Sequence, residues 1–213
     1  MSRLFARIGL GRPELRAWAL YDWAASAMQT TVMAAVFPIY FVRVASAGLP
    51  EGQGPARLAL ANTVAMVVII AMSPMLGALA DQSAAKKKLL LAFALLGAAA
   101  CAGMFLIGPG DVTLASVLYA LAMVGAQGSM AFYGALLPHL AAEHEVDAVS
   151  TAGYAVGYLG GGLLLAVQLL WITKPGLFGL PNGPGLTPAQ ATLPTRLALA
   201  SVAVWWLVFT VPL

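Results

Sequence analysis

The sequence predicts an all-α membrane protein of six transmembrane helices, and three observations carry that prediction. Hydrophobic residues make up 61% of the 213 residues and charged residues 9%, whereas a soluble domain carries about 25% charged residues. Mean hydropathy is +0.88. Apolar runs of about 20 residues recur, each long enough to cross a ~30 Å hydrocarbon core as a helix, and none alternates polar and apolar residues as barrel strands do. The net charge of +3 does not point to nucleic acid, because the basic residues form short clusters beside the spans, where membrane orientation accounts for them. Cys101 stands alone inside an apolar run, which excludes an intrachain disulfide and argues against a metal site.

Residues 1–16 hold Arg3, Arg7, Arg12 and Arg16 and read as a cytoplasmic N-terminal segment. The run that follows is too long for a signal-peptide core and lacks a small-residue cleavage site, so the six-helix domain occupies residues 17–213. Helix one is expected over residues 17–42, with Asp22 inside it and Pro38 near its end. Helix two covers 58–80 and contains Ser73-Pro74, where a missing amide hydrogen loosens the helix. The hinge from Gly77 through Asp81 to Lys86, Lys87 and Lys88 precedes helix three, over 89–107. Gly108-Pro109-Gly110-Asp111 is a tight turn into helix four, over 112–137, and helix five follows over 148–172. Residues 173–195, rich in Gly and Pro, read as a loop into helix six, over 196–213. That helix holds about 17 residues against the roughly 20 a span needs, so the chain is expected to stop within it, as a fragment or half of a larger protein.

An even number of spans puts both ends on one side. Arg3, Arg7, Arg12, Arg16 and the three hinge lysines then fall inside, against Arg43, Arg57, Lys174 and Arg196 outside. Basic residues collect on the cytoplasmic side, so the N-terminus is expected there. Met33 to Pro38 and Met130 to Pro138 both place a proline near a helix end, three helices apart, which suits a three-plus-three inverted repeat.

A few polar groups inside the spans are candidates for function. Asp22 is the one acid well inside an apolar run, and an intramembrane carboxylate, at about 2.5–3.5 kcal/mol on insertion scales, marks a polar pathway by default. Ser26, Gln29, Thr30 and Met33 share its helical face, where Asp22 would serve as proton acceptor or substrate anchor. The competing reading sets Asp22 near the membrane boundary, in an interfacial belt of Trp18, Tyr21 and Trp23. Gln127, with Tyr133 nearby, forms a second polar face, available either to a substrate or to a neighbouring helix. Gly153, Gly157 and Gly161 recur every four residues, clearing a groove for close helix packing or for a sliding contact, and Tyr154 and Tyr158 flank it. His139, Glu143, His144, Glu145 and Asp147 match no zinc spacing and read as a solvated loop. No phosphate-cradling G-x-x-x-x-G-K-[ST] run occurs.

Gly77, Asp81 and Lys86 resemble the G-x-x-x-D-[RK]-x-G-R-[RK] loop between helices two and three of the major facilitator superfamily. Gln82, Ala84 and Ala85 depart from that pattern. Trp18 to Ser26, Thr31 to Pro38, Phe132 to Pro138 and Gly157 to Leu163 are similar to segments of its vacuole effluxer branch, related to autophagy-linked vacuolar amino-acid exporters and to bacterial proteins. Ala25 stands where Asn is common in that branch and Gly134 where Asp is common. Gly153, Gly157, Gly161 and Gly162 also fit the superfamily's G-x-x-x-G-P-x-x-G-G antiporter pattern, with Tyr158 in place of Pro.

The resemblance implies the N-terminal six-helix half of a secondary transporter in a bacterial inner membrane. It implies a small polar solute, amino acids among the options, moved by alternating access against a second six-helix half on the same or another chain. A homodimer of identical halves is also open. Asp22, Ser26, Gln29, Thr30, Gln127, Tyr133, Tyr154 and Tyr158 would line the pathway, and Gly77, Asp81 and Lys86 would serve gating. No cofactor and no enzymatic activity are expected, and proton coupling is left open. The alternative is a non-transporting membrane scaffold or assembly subunit, in which the glycines serve packing alone.

Overall fold

Proline marks where the first and last helices begin, joined at the last by a side-chain cap. The computed structural model describes residues 8–80 and 85–213, so Asp81 of the hinge and Arg3 and Arg7 of the N-terminal segment lie outside the described residues. Six helices long and apolar enough to cross a membrane are present among the described residues, and no strand is.

Helix α1 runs Pro13–Ala45, a continuous 33 residues. It starts four residues before the predicted boundary because Pro13 occupies a first-turn position, where no amide hydrogen is needed. Its winding is not uniform. Met28–Ala35 and Phe41–Ala45 are wound as π-helix around a short α segment, Val36–Tyr40. The wider turns show in the backbone, with Val36 N–H donating to the Thr31 carbonyl and Ser46 N–H to the Phe41 carbonyl, each five residues back. Pro38, which has no amide hydrogen to give, sits between them.

Helix α2 spans Gln53–Ala80 and carries Pro74 internally, with Ser73 Oγ donating to the Ile69 carbonyl at 2.9 Å. Helix α3 spans Lys86–Gly103 and tightens into a 3₁₀ turn over Met104–Leu106. The following turn closes through Gly108 N–H donating to Asp111 Oδ2 at 2.8 Å and through Gly110 at φ +85°. Helix α4 then runs Val112–Leu140. A 3₁₀ turn at Glu143–Glu145 leads into α5, Val146–Thr173.

Helix α6 corrects the sequence reading: it occupies Pro188–Thr210, 23 residues, and starts in what was expected to be loop. Thr187 caps it. Gln190 N–H donates to Thr187 Oγ1, while Thr187 N–H donates back to Gln190 Oε1 at 3.0 Å. That reciprocal box, followed by a first-turn proline, offsets the low helix propensity of the Pro-rich segment.

The packing follows an exchange rule. Helix α1 packs on α5 and α6, α4 packs on α2 and α3, and α3 packs on α6. Replacing each helix by the one three places along maps α1–α5 onto α4–α2 and α1–α6 onto α4–α3 and leaves α3–α6 unchanged, the relation a three-plus-three repeat requires. Small residues permit the closest approaches, as they do where no hydrophobic force joins helices in lipid. Gly125 of α4 meets Gly97 of α3 backbone to backbone, and Trp206 of α6 lies over Gly97. In its most apolar window α1 is 56% buried and α2 11% buried, so α1 is the central rod and α2 a peripheral one.

Candidate functional site

The polar residues of α1 converge on the glycine face of α5. Asp22 is 3% exposed and Ser26 8%, and Ser26 Oγ donates to Asp22 Oδ1 at 2.9 Å. Thr30 Oγ1 lies 3.2 Å from the Gly161 carbonyl across the helix contact and 3.2 Å from the Ser26 carbonyl within α1. The glycines match these partners one for one. A Cβ on Gly153 would meet the Trp18 ring, one on Gly157 would stand 2.6 Å from Asp22 Oδ1, and one on Gly161 would stand 2.9 Å from the Ser26 carbonyl. The stripe predicted for packing is therefore the seam against which the intramembrane acid is held.

Asp22 lies further from the start of its helix than the predicted boundary implied. With α1 starting at Pro13, the acid lies nine residues into the helix, about 13 Å along its axis at 1.5 Å per residue. The aromatic residues around it do not form an interfacial belt. Trp18 and Tyr21 are 2% and 0% exposed and turn into the bundle. Trp18 stacks on Tyr133 of α4, with ring centroids 4.2 Å apart and planes 9° from parallel, and Trp18 Nε1 donates to the Tyr133 carbonyl at 3.1 Å. Trp23 turns the other way, stacking on Trp205 of α6, whose Nε1 donates to the Trp23 carbonyl.

Three buried polar atoms around this junction of α1, α4 and α5 have no close hydrogen-bond partner among the described residues: Asp22 Oδ2 and the hydroxyls of Tyr21 and Tyr133. The Asp22 carboxylate and the Tyr133 hydroxyl are close enough to interact, and the Tyr154 hydroxyl lies within electrostatic reach of Tyr133. A buried acceptor and a buried donor with few polar neighbours besides each other suit a small polar guest or a proton, since under-satisfied buried polar groups are costly.

The other candidates lie apart. Tyr154 and Tyr158 are 56% and 75% exposed on the outer side of α5. Gln29 is exposed, and Gln127, part-exposed, lies six residues before Tyr133 on a different face of α4. Neither Gln makes a hydrogen bond among the described residues. At the hinge, Gly77 is exposed with open space around it. Lys86 is 5% exposed, its Nζ 3.3 Å from the Ala135 carbonyl and 2.5 Å from His139 Nε2, so it ties α3 to the end of α4. The acidic loop is engaged as well, with Glu145 Oε2 2.7 Å from Arg12 Nη2 and accepting from Ala142 N–H.

One polar cluster was missed by sequence reasoning. Gln168 of α5, fully buried, accepts from Thr31 Oγ1 at 2.6 Å and donates to the Ala198 carbonyl at 2.9 Å and to Ser201 Oγ at 3.0 Å. A single amide thereby joins α1, α5 and α6. The signal was present: Gln168 lies seven residues beyond Gly161, on the same face.

Comparison with known proteins places this geometry in context. Residues 56–213 match the family model described as "Vacuole effluxer Atg22 like". The chain is 28% identical over 197 residues to the "Uncharacterized MFS-type transporter YxiO" of Bacillus subtilis (strain 168), an alignment covering 92% of this chain and 44% of that protein. It is 28% identical over 164 residues to an "Uncharacterized protein" of Aquifex aeolicus (strain VF5), covering 77% of this chain and 40% of that one. The chain thus spans less than half the length of these curated relatives. No solved structure matches.

Proposed function

The chain belongs to the Atg22-like vacuole effluxer family, and from that membership we propose that it forms one six-helix half of a major-facilitator-type secondary transporter. It moves a small polar solute, with amino acids the first class to test, by alternating access against a second six-helix half. The half sits in a bacterial inner membrane with its N-terminus in the cytoplasm, and it does no chemistry on its cargo.

The observation that carries this reading is the Asp22–Tyr133 junction. A carboxylate and a phenol buried among α1, α4 and α5, each with an unsatisfied oxygen, are expensive to keep and are explained by a guest that visits them. Reaching them requires α5 to part from α1 along the glycine seam, where α5 presents no side chains, while the Thr31–Gln168 bond further along keeps the two helices joined. Gln29, Tyr154 and Tyr158, exposed in this half, would face the solute path or the companion half, and Lys86 would hold α3 to α4 as the halves rock. Whether a proton accompanies the solute is read from the effect of a proton ionophore on uptake.

The test is transport by the longest natural form of the protein in proteoliposomes, across a panel of amino acids. Asp22→Asn is expected to abolish it while leaving folding intact; wild-type rates in that variant reject the role of Asp22. The scaffold reading is favoured by one fact, that Asp22 and all three stripe glycines are fully taken up in packing within this half. Absence of transport across the whole panel, with a well-folded protein, would support it.

A further inference from the structure

Helices α1 and α5 run side by side in the same direction, and their contacts follow in order from the end where both begin. Gly9 lies against the backbone of Ala148 and Val149, then Gly153 against Trp18, Gly157 against Asp22 and Gly161 against the Ser26 carbonyl. Among the described residues, side chain bonds to side chain across this seam at its two ends alone. Thr31 Oγ1 donates to Gln168 Oε1 at one end, and at the other Arg12 Nη2 donates to Glu145 Oε2 at 2.7 Å. We propose that residues 8–12 form a strap that latches the start of α5 to α1 and so controls access to the Asp22–Tyr133 junction. The inference rests on that junction being the guest site, and names what regulates entry to it.

The strap is shaped for this task. Gly9, at φ +82°, takes a backbone conformation that glycine alone adopts readily, and a Cβ there would stand 3.3 Å from the Val149 amide nitrogen. The chain therefore lies directly on the first turn of α5, with Leu10 and Val149 both buried. Arg12 and Glu145 immediately precede the first turns of α1 and α5, so their pair joins the two helix starts. The two clasps differ in their surroundings. Thr31 and Gln168 are fully buried, and Gln168 is held further by the Ala198 carbonyl and Ser201 of α6. The Arg12 and Glu145 side chains are 50% and 37% exposed, and an exposed ion pair is weak and screened by salt. Between the clasps α5 offers glycines, and Thr30 Oγ1, which reaches the Gly161 carbonyl, is shared with two carbonyls of its own helix. The seam is thus built to open from the Arg12 end and to pivot at Gln168, with Asp22 on the opening side.

The experiment is thiol labelling of the longest natural form of the protein in lipid nanodiscs, in a Cys101→Ala background. A charged methanethiosulfonate reagent is applied, and mass spectrometry of each peptide reads the modification. Ser26→Cys reports on the seam beside Asp22. Leu164→Cys, buried between Gly161 and Gln168 on the same face of α5, reports on the pivot end. Arg12→Gln and Glu145→Gln are each expected to speed labelling at position 26 about fivefold, the factor that one exposed ion pair supports, and to leave position 164 unchanged. Potassium chloride at about 1 M should speed position 26 in the same way while Arg12 and Glu145 are intact, and add nothing in either variant. Arg12→Lys, which keeps the charge, should label as slowly as the Arg12 protein. Unchanged labelling at position 26 in both variants, or equal acceleration at positions 26 and 164, would overturn the latch. Labelling needs no solute, so its failure strikes the strap alone, whereas absence of transport strikes the guest site.

Discussion

Asp22 and Gly157 are in contact: Asp22 Oδ1 lies where no side chain at position 157 can fit, since a Cβ there would be 2.6 Å away. Gly157→Ala must push α5 off α1 or displace the Asp22–Ser26 pair, and overpacking of this kind costs about 1–3 kcal/mol. Unfolding in detergent is expected to show that loss. Gly162→Ala, five residues on and with nothing within 4 Å, is expected to leave stability unchanged or raise it by up to about 1 kcal/mol, the helix-propensity gain of alanine over glycine. Equal behaviour of the two variants would remove the seam from the description.

Gln168 should behave as the hub of its three helices. In Gln168→Leu the links to Thr31, Ala198 and Ser201 are lost together, an expected cost of about 1–2 kcal/mol given that single intramembrane hydrogen bonds average about 0.6. Thr31→Val should then cost less in the Gln168→Leu background than in the wild type. A double-mutant cycle measured by steric trapping or detergent titration reads that difference, and strict additivity would mean that the Thr31–Gln168 bond contributes nothing.

Cys101 is 0% exposed on α3, and a thiol so enclosed is inert. A membrane-permeant maleimide is expected to leave it unmodified in the folded protein and to label it fully after denaturation in dodecyl sulfate. Rapid labelling of the folded protein would place α3 in the wrong rotation.

Orientation is testable from two exposed positions. Lys88, beside the start of α3, and Glu51, just before α2, lie at opposite ends of the bundle. In a Cys101→Ala background, a membrane-impermeant thiol reagent applied to intact cells is expected to modify Glu51→Cys and to spare Lys88→Cys. The reverse pattern would invert the protein.

What was legible in the sequence follows from what each signal measures. Apolar run length reports bilayer thickness, so all six helices were found, and a four-residue glycine repeat reports a close helix contact. Neither signal names the partner. That Gly157 faces Asp22 depends on a contact 135 positions away in the chain, and Trp18, Tyr21 and Trp23 could be placed at the membrane boundary only for want of Tyr133 and Trp205 to pack on. The start of α6 was misread for a different reason. Pro and Gly content outweighed the box formed by Thr187 and Gln190, although that four-residue pattern was there to be read. Gln168 was passed over because an amide in a greasy stretch has no local mark of its own.

The wide turns of α1 have a consequence for sequence register. A segment wound with five-back bonds from Met28 to Ala35 holds one residue more than an α-helix needs to link the same two ends. Removing a single residue there would let the rod close up as ordinary α-helix, with Asp22 still facing α5 and Tyr40 still donating to the Ile107 carbonyl. The same removal from α4 or α5, which have no such slack, would swing everything beyond it by about 100°. The central rod is thus the one place along these three helices where the chain can absorb a missing letter.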